Sequence, residues 1–460
     1  MLNSRLKLQL SWFQWMLGVL FIVALILRFW KLEQFNVLVF DEVYYAKFAN
    51  DYWLGKPFFP SHPPLSHYLI ALGMGLGSLF PAGPDSLNEL TGSLRSTWSY
   101  RWLNALVGST IPLLVGALGY LLTQRRRFTI LLVLLASLDG LFLVESRYAL
   151  NNIYLIFFGL LGQIACLTYL RQQQRWQLIL AGIFLGCAGS VKWNGFAFLL
   201  GIYCLWALAW GLALWQRWRG KPEPGIPVLW HRFQQVSPLQ VLLYLVLIPL
   251  LTYSLLWIPH LLMNPEYRSL AGFWRIQVET WQYHQRIGNT PDVHPYCSPW
   301  YSWLILWRPV AYYYQTGKYG VVYDVHSMAN PILLWFSTGA LAVLGANLLS
   351  TYRSRRLHNR WLRGMGLFLA VNYLVNLLPW LKISRCTFFY HYMPAYLFSW
   401  FALALILDNL LASRQSFGRI VALTTLGLIF VGFLYWLPIF LGLPLTPQAF
   451  SWRMLFRSWI

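Results

Sequence analysis

Acidic residues are scarce in this chain. Asp and Glu number 14 among 460 residues, against 35 Lys and Arg, and charged residues make up only 11%. A soluble domain of this length needs far more charge to cover its surface, so that class is excluded. The five cysteines form no Cys-x-x-Cys pair, so zinc ribbons and dithiol motifs are excluded. Neither G-x-x-x-x-G-K-[ST] nor G-x-G-x-x-G occurs, and the histidines show no H-E-x-x-H spacing, which leaves no nucleotide-loop or metal signature. Short segments of alternating polarity, the mark of a membrane β-barrel, are missing. No transporter-type internal repeat is evident.

What is abundant is apolar length. Hydrophobic residues make up 58% of the chain and recur in runs of about 20, the length of a helix that crosses a bilayer. We read an all-α polytopic membrane protein, a single membrane-embedded domain over residues 1–460, with about 11 transmembrane helices. The runs are 12–30, 101–122, 128–146, 151–170, 176–191, 195–215, 239–261, 331–349, 362–380, 387–407 and 419–441. The first follows a short N-terminus carrying Arg5 and Lys7. It is too long for a signal-peptide core and is read as an uncleaved span.

The net charge of +21 suggests nucleic acid, but its distribution does not. The basic residues cluster in short loops between spans: Arg125-Arg126-Arg127, Arg171/Arg175, Arg217/Arg219/Lys221/Arg232, Arg353/Arg355/Arg356/Arg360/Arg363 and Arg414/Arg419. All fall on the side of Arg5 and Lys7, the pattern of cytoplasmic loops. The N-terminus is then cytoplasmic, and the C-terminus lies on the periplasmic or extracellular side of a cell membrane. The partner implied is a lipid bilayer and not nucleic acid. This count requires Leu65–Phe80 to be a helix lying in or dipping into the outer interface.

Two outer loops are large, 31–100 and 262–330, and ten of the acidic residues fall in them: Glu33, Asp41, Glu42, Asp51, Asp85, Glu89, Glu266, Glu279, Asp292 and Asp324. Asp139 and Glu145 lie in the outer half of the third span, leaving Glu223 and Asp408 for the cytoplasmic side. Chemistry is therefore expected outside. Cys297 and Cys386 fall on that side, where a bridge can form. Cys166, Cys187 and Cys204 lie in apolar runs as packing residues.

Asp41 directly follows Phe40 beyond the first span and can serve as a general base for an incoming hydroxyl. The bland alternative for Asp41-Glu42 is a helix N-terminal cap. His62, in Ser61-His62-Pro63-Pro64, can face a polar cleft, while its prolines set a rigid turn. Asp139, Glu145, Arg147, Asn151 and Asn152 are polar residues at a span end; they either line a site or tie helices together. Arg101, Lys192 and Arg385 are cations at the outer surface, suited to a lipid-linked phosphate or to snorkelling. The topology places Asp41, His62, Arg101, Arg147, Lys192 and Arg385 at one lipid boundary. A base and several cations there suit a reaction on a lipid phosphate ester.

Seven segments in order resemble the protein O-mannosyltransferases. They are Phe40-Asp-Glu-Val-Tyr-Tyr-Ala-Lys-Phe-Ala49, His62-Pro-Pro64, Glu145-Ser-Arg-Tyr148, Ser190-Val-Lys-Trp-Asn-Gly195, His294-Pro-Tyr296, the run from Ser298 to Pro309, and Arg385-Cys-Thr-Phe-Phe-Tyr-His-Tyr-Met-Pro-Ala395. The resemblance implies a GT-C glycosyltransferase fold and an inverting transfer of mannose from polyprenyl-phosphate-mannose to Ser or Thr hydroxyls of exported proteins. It implies that Asp41 is the base, with Glu42 beside it and Glu42 and His62 at the acceptor. Arg101, Arg147, Lys192 and Arg385 would contact the donor phosphate. From the missing ligand spacing among the histidines we expect no metal, and we expect no cofactor.

Two departures are visible. The loop 262–330 is too short for the β-trefoil domain that eukaryotic members insert, so the chain looks like a bacterial form. Where the family has Leu-Asp, this chain has Asn151-Asn152, which bears on a carboxylate role there and on acceptor and sugar. A GT-C enzyme for another sugar or a glycolipid acceptor is the neighbouring reading. A lipid flippase or transporter is the distant one, and it predicts midplane polar residues and paired broken helices.

Overall fold

The computed structural model describes residues 11–83, 86–219, 228–288, 293–354 and 360–460. Arg5, Lys7, Asp85, Lys221, Glu223, Asp292, Arg355 and Arg356, which enter the charge reading above, lie outside the described residues. In chain order the helices are α1 Trp12–Phe29, α2 Glu42–Leu54, α3 Leu65–Gly77, α4 Thr97–Thr123, α5 Arg126–Ser137, α6 Gly140–Arg147, α7 Asn152–Gln172, α8 Arg175–Val191 and α9 Phe196–Arg219. They continue with α10 Val228–Gln234, the single turn α11 Pro238–Gln240, α12 Ile248–Met263, α13 Leu270–Arg286, α14 Pro331–Ser354, α15 Arg360–Leu377, α16 Met393–Ala412, α17 Ser416–Leu441 and α18 Pro447–Arg453.

Among the described residues, 9 helical segments are long and apolar enough to cross a membrane, and the α5–α6 pair, bent by 59°, makes up to 10. α8 is apolar but shorter, at 17 residues. Every apolar run anticipated above therefore falls on a helix or helix pair. The run 128–146 is not straight, because Asp139 leaves the helical ladder to cap α6. One carboxylate oxygen accepts from the Phe142 N–H at 2.9 Å and the other from the Tyr396 hydroxyl at 2.9 Å. That gives Asp139 a structural part. The run 239–261 opens with a π-helical stretch, Val241–Leu247, a rare, wider turn with i→i+5 bonding.

Strand structure confined to the loops qualifies the all-α expectation. β1 (Leu87–Leu90) pairs antiparallel with β2 (Ser93–Ser96), and β3 (Val310–Thr316) with β4 (Val322–Ser327). β3 and β4 are rich in Val and Tyr, residues that favour a pleated surface. A bulge between Ala311 and Tyr313 turns Tyr312 towards the helices. The segment Leu65–Phe80 forms α3, whose 13 residues reach only about 20 Å, too short to cross. It packs against α2 and α4.

α16 is the central helix, with every residue from Met393 to Leu405 buried, whereas the peripheral α1 buries only Ala24 and Arg28. Lipid supplies little drive between apolar helices, so close backbone approach matters. Gly182 and Gly186 of α8 provide it, since a Cβ at Gly182 would lie 2.2 Å from the Tyr244 carbonyl and one at Gly186 2.9 Å from that of Pro249. At the end of the bundle away from the long loops, Asp408 pairs with Arg125 at 3.1 Å and Arg127 at 2.6 Å. The charge reading had assigned these three residues to one side.

Candidate active site

The segment leading out of α1 is fastened from behind by one arginine. Arg101, fully buried on α4, donates through Nη1 to the Leu32 and Phe35 carbonyls and through Nη2 to the Val37 carbonyl. Its Nε and Nη2 grip the two Glu42 oxygens at 2.9 and 2.7 Å. Glu42, also fully buried, further accepts from the Val39 and Ala149 N–H groups, both at 2.8 Å. All five guanidinium N–H groups are thus occupied, and both carboxylate oxygens are saturated. The structure therefore corrects two expectations. Arg101 has no donor left for a phosphate, and Glu42 faces a protein cation instead of an acceptor.

Asp41 is left facing the other way. Phe40 holds a positive φ of 50°, a conformation that costs a non-glycine residue roughly 1–3 kcal/mol. Its ring stacks on Tyr312 at 4.2 Å and meets His294, Phe388 and Tyr390 edge-on, which offsets the strain. Asp41 stands at the N-cap of α2, yet its side chain makes no capping hydrogen bond. The capping alternative therefore fails for Asp41. Burial pushes its carboxyl up to about 6, Lys192 pulls it back, and Glu145 adds to the rise. A carboxyl in that range can exchange a proton near neutral pH.

Lys192 joins α8 to the turn before α9 and is only 4% exposed. Its ammonium donates to the Asn152 amide oxygen at 3.1 Å and lies 5.3 Å from the centre of the Tyr390 ring. The Asn152 amide nitrogen donates to Glu145 at 2.9 Å. Glu145 also accepts from the Tyr312 hydroxyl and from the Ser327 hydroxyl at 3.1 Å. The charge of Lys192 is felt by Asp41, Glu145 and His62, and Arg385 in turn acts on Lys192.

Arg385 sits at this cluster between α15 and α16. Its Nη1 donates to the Cys386 carbonyl at 3.1 Å, and among the described residues the rest of the guanidinium has no protein partner. Cys386 is disulfide-bonded to Cys297, Cα to Cα 5.1 Å, which fixes the loop that carries Arg385. His62 stacks on His284 of α13 at 4.9 Å and lies 6.5 Å from the Tyr45 ring. Burial, then Lys192, His284 and Arg385, hold His62 well below the usual imidazole range. His284 contacts the Ser61 carbonyl through Nε2 at 2.9 Å, which makes that nitrogen its N–H. Asn151 donates to the Tyr45 hydroxyl at 2.8 Å.

Asp41, His62, Lys192 and Arg385 are thus brought together, and Glu145 and Asn152 join them. Arg147 is set apart: its Nη1 donates to the Leu27 and Arg28 carbonyls at 2.8 and 3.1 Å, closing the end of α1. Sequence reasoning missed His284, Tyr312 and Tyr390 as individual residues. Tyr390 lay inside a segment of the resemblance; Tyr312 and His284 carried no local signal. Among the described residues no group of three or more His, Cys, Asp and Glu converges on a point. The arrangement can deprotonate a hydroxyl at Asp41 while Lys192 and Arg385 receive negative charge.

A family profile described as dolichyl-phosphate-mannose-protein mannosyltransferase matches residues 18–263, and one for the C-terminal four-span region of protein O-mannosyltransferase matches residues 269–459. The chain is 24% identical to a polyprenol-phosphate-mannose–protein mannosyltransferase of Mycolicibacterium smegmatis, over 92% of this chain and 87% of that one. It is 24% identical to the enzyme of the same name in Corynebacterium glutamicum, over 96% and 92%. The S. cerevisiae protein O-mannosyltransferase Pmt1–Pmt2 complex bound to its sugar donor superposes with a TM-score of 0.82 at 15% identity, covering 99% of this chain and 93% of that chain. The fold is therefore of the GT-C kind.

Proposed function

The chain belongs to the dolichyl-phosphate-mannose–protein mannosyltransferase family, and from that premise we propose that it moves mannose from polyprenyl-phosphate-mannose to Ser or Thr hydroxyls of exported proteins at the outer face of a cell membrane. It is a membrane-embedded glycosyltransferase. The observation that carries the finer reading is the Asp41 carboxylate, free of a capping bond and set in one cluster with two cations, Lys192 and Arg385, whose side-chain hydrogen bonds go to neutral groups.

Asp41 takes the proton of the acceptor hydroxyl as its oxygen attacks the anomeric carbon. The bond from that carbon to the phosphate oxygen breaks, and the electron pair leaves with the polyprenyl phosphate. Lys192 and Arg385 bind the phosphate and stabilise the charge that grows on it, the step where preorganised cations contribute most. Base and phosphate lie on opposite sides of the sugar, so the configuration inverts. His62, neutral and stacked between Tyr45 and His284, lines the acceptor side. Glu42 and Arg101 act through the backbone by holding the segment that aims Asp41.

The test supplies radiolabelled polyprenyl-phosphate-mannose and a Ser/Thr-rich peptide to proteoliposomes of wild type and Asp41→Asn. Label on the peptide that is lost in the variant supports the reading. Donor consumed without labelled peptide transfers the reading to a glycolipid acceptor, and an untouched donor removes mannose as the sugar.

A further inference from the structure

Lys192 is buried between two carboxylates, Asp41 and Glu145, yet among the described residues it enters no direct ion pair. Its side-chain hydrogen bond goes to a neutral amide, Asn152. A desolvated ammonium with carboxylates in reach ordinarily closes on one of them, because an unpaired buried charge is costly. Asn152 blocks one such closure. Its amide nitrogen is committed to Glu145 at 2.9 Å and its amide oxygen to Lys192 at 3.1 Å. The orientation follows from the partners: a carboxylate only accepts and an ammonium only donates. Glu145 is kept on its own side by the Tyr312 and Ser327 hydroxyls.

We infer that Asn152 is a positioning residue, a neutral spacer that stops Lys192 collapsing onto Glu145 and keeps the remaining ammonium N–H groups turned to the space between Asp41 and Arg385. The inference rests on the reading of Lys192 as a contact to the donor phosphate. A shorter residue at 152 removes the spacer, and the flexible lysine then pairs with Glu145. The phosphate then loses a donor and Asp41 loses its nearest counter-charge. Asp41 is then left facing Glu145 of α6, Tyr45 of α2, Tyr283 of α13 and Tyr390 of the segment before α16, and Arg385 acts on the last two tyrosines.

Two readouts test this in proteoliposomes. The first is binding of polyprenyl phosphate alone, without sugar or acceptor. The second is the pH profile of transfer. Asn152→Ala is expected to weaken polyprenyl-phosphate binding about tenfold, the scale of one lost charge-assisted hydrogen bond, and to move the acid limb of the profile to higher pH. The double variant Asn152→Ala/Glu145→Gln is expected to regain most of the binding, because no carboxylate remains to capture Lys192. Unchanged binding and an unmoved acid limb in Asn152→Ala, or a double variant no better than the single, overturns the spacer and leaves the mannosyltransferase reading in place. Wild type that binds no polyprenyl phosphate overturns both.

Discussion

Glu42 and Arg101 close on each other with both carboxylate oxygens and all five guanidinium N–H groups in use. Two carboxylates adjacent in the chain thereby take different roles: Glu42 is sealed into the protein, while Asp41, one residue earlier, makes no capping bond and feels the charges of Lys192 and Glu145.

Breaking that pair should cost fold before chemistry. Arg101→Ala or Glu42→Ala leaves an uncompensated charge in a fully enclosed place, a loss of about 3–5 kcal/mol. Both variants should give little monodisperse protein in detergent and a lower melting temperature. Arg101→Lys should not rescue, because an ammonium cannot span five acceptors. A well-folded Arg101→Ala enzyme whose defect is confined to donor KM would return Arg101 to the phosphate.

Asp41→Asn should insert and fold like wild type and lower transfer by about 10²–10⁴-fold, the range for loss of a general base. With the Asp41 carboxyl at about 6, wild-type kcat/KM should climb as pH rises through about 6 and then level. An acid limb well below pH 5 would separate the limb from Asp41.

The buried pair Asp324–His326 should give the β3–β4 hairpin a pH response of its own. His326 meets Asp324 through Nδ1 at 2.5 Å and the Trp459 carbonyl through Nε2 at 2.7 Å, so both ring nitrogens face acceptors and the imidazolium satisfies both. Against the cost of burial, Asp324 raises its pKa above the usual value. Stabilisation by a group raised on folding is complete below the unfolded pKa of about 6.5 and fades as pH climbs through the folded value. The melting temperature of wild type should fall over that alkaline window, and His326→Phe should flatten the dependence. An identical slope in the variant would falsify this.

The Cys297–Cys386 disulfide should leave three of the five thiols, Cys166, Cys187 and Cys204, open to alkylation after denaturation, read by mass spectrometry. Cys297→Ser should cost about 2–5 kcal/mol and should raise donor KM more than it lowers kcat, because Cys386 adjoins Arg385. Five alkylated thiols in the denatured, unreduced protein would remove the bridge.

The helices were legible because lipid forces each span to satisfy its own backbone, so apolar length alone marks them. The break at Asp139 was not, since only the fold shows the carboxylate capping α6. Nor was the β3–β4 hairpin, whose Val- and Tyr-rich strands sit in a loop too polar for a span signal. At the site, Asp41, His62, Lys192 and Arg385 stood out as rare polar groups beside apolar runs. Sequence could not separate Lys192 from Arg101, because both are single cations at span ends. What divides them is the identity of their partners: carbonyls and Glu42 for Arg101, a neutral amide for Lys192.

The backbone of Phe40 implies something about inheritance. The carboxylate is aimed by a peptide that would rather relax, and four rings, from Tyr312, His294, Phe388 and Tyr390, prevent it. Those rings come from three separate stretches of chain, so a lineage that trims any of them shifts the base without touching it. Positions 40, 294, 312, 388 and 390 should then drift together between relatives or not at all, and grafting the motif around Asp41 into another scaffold without its cage should yield a correctly spelled but idle enzyme.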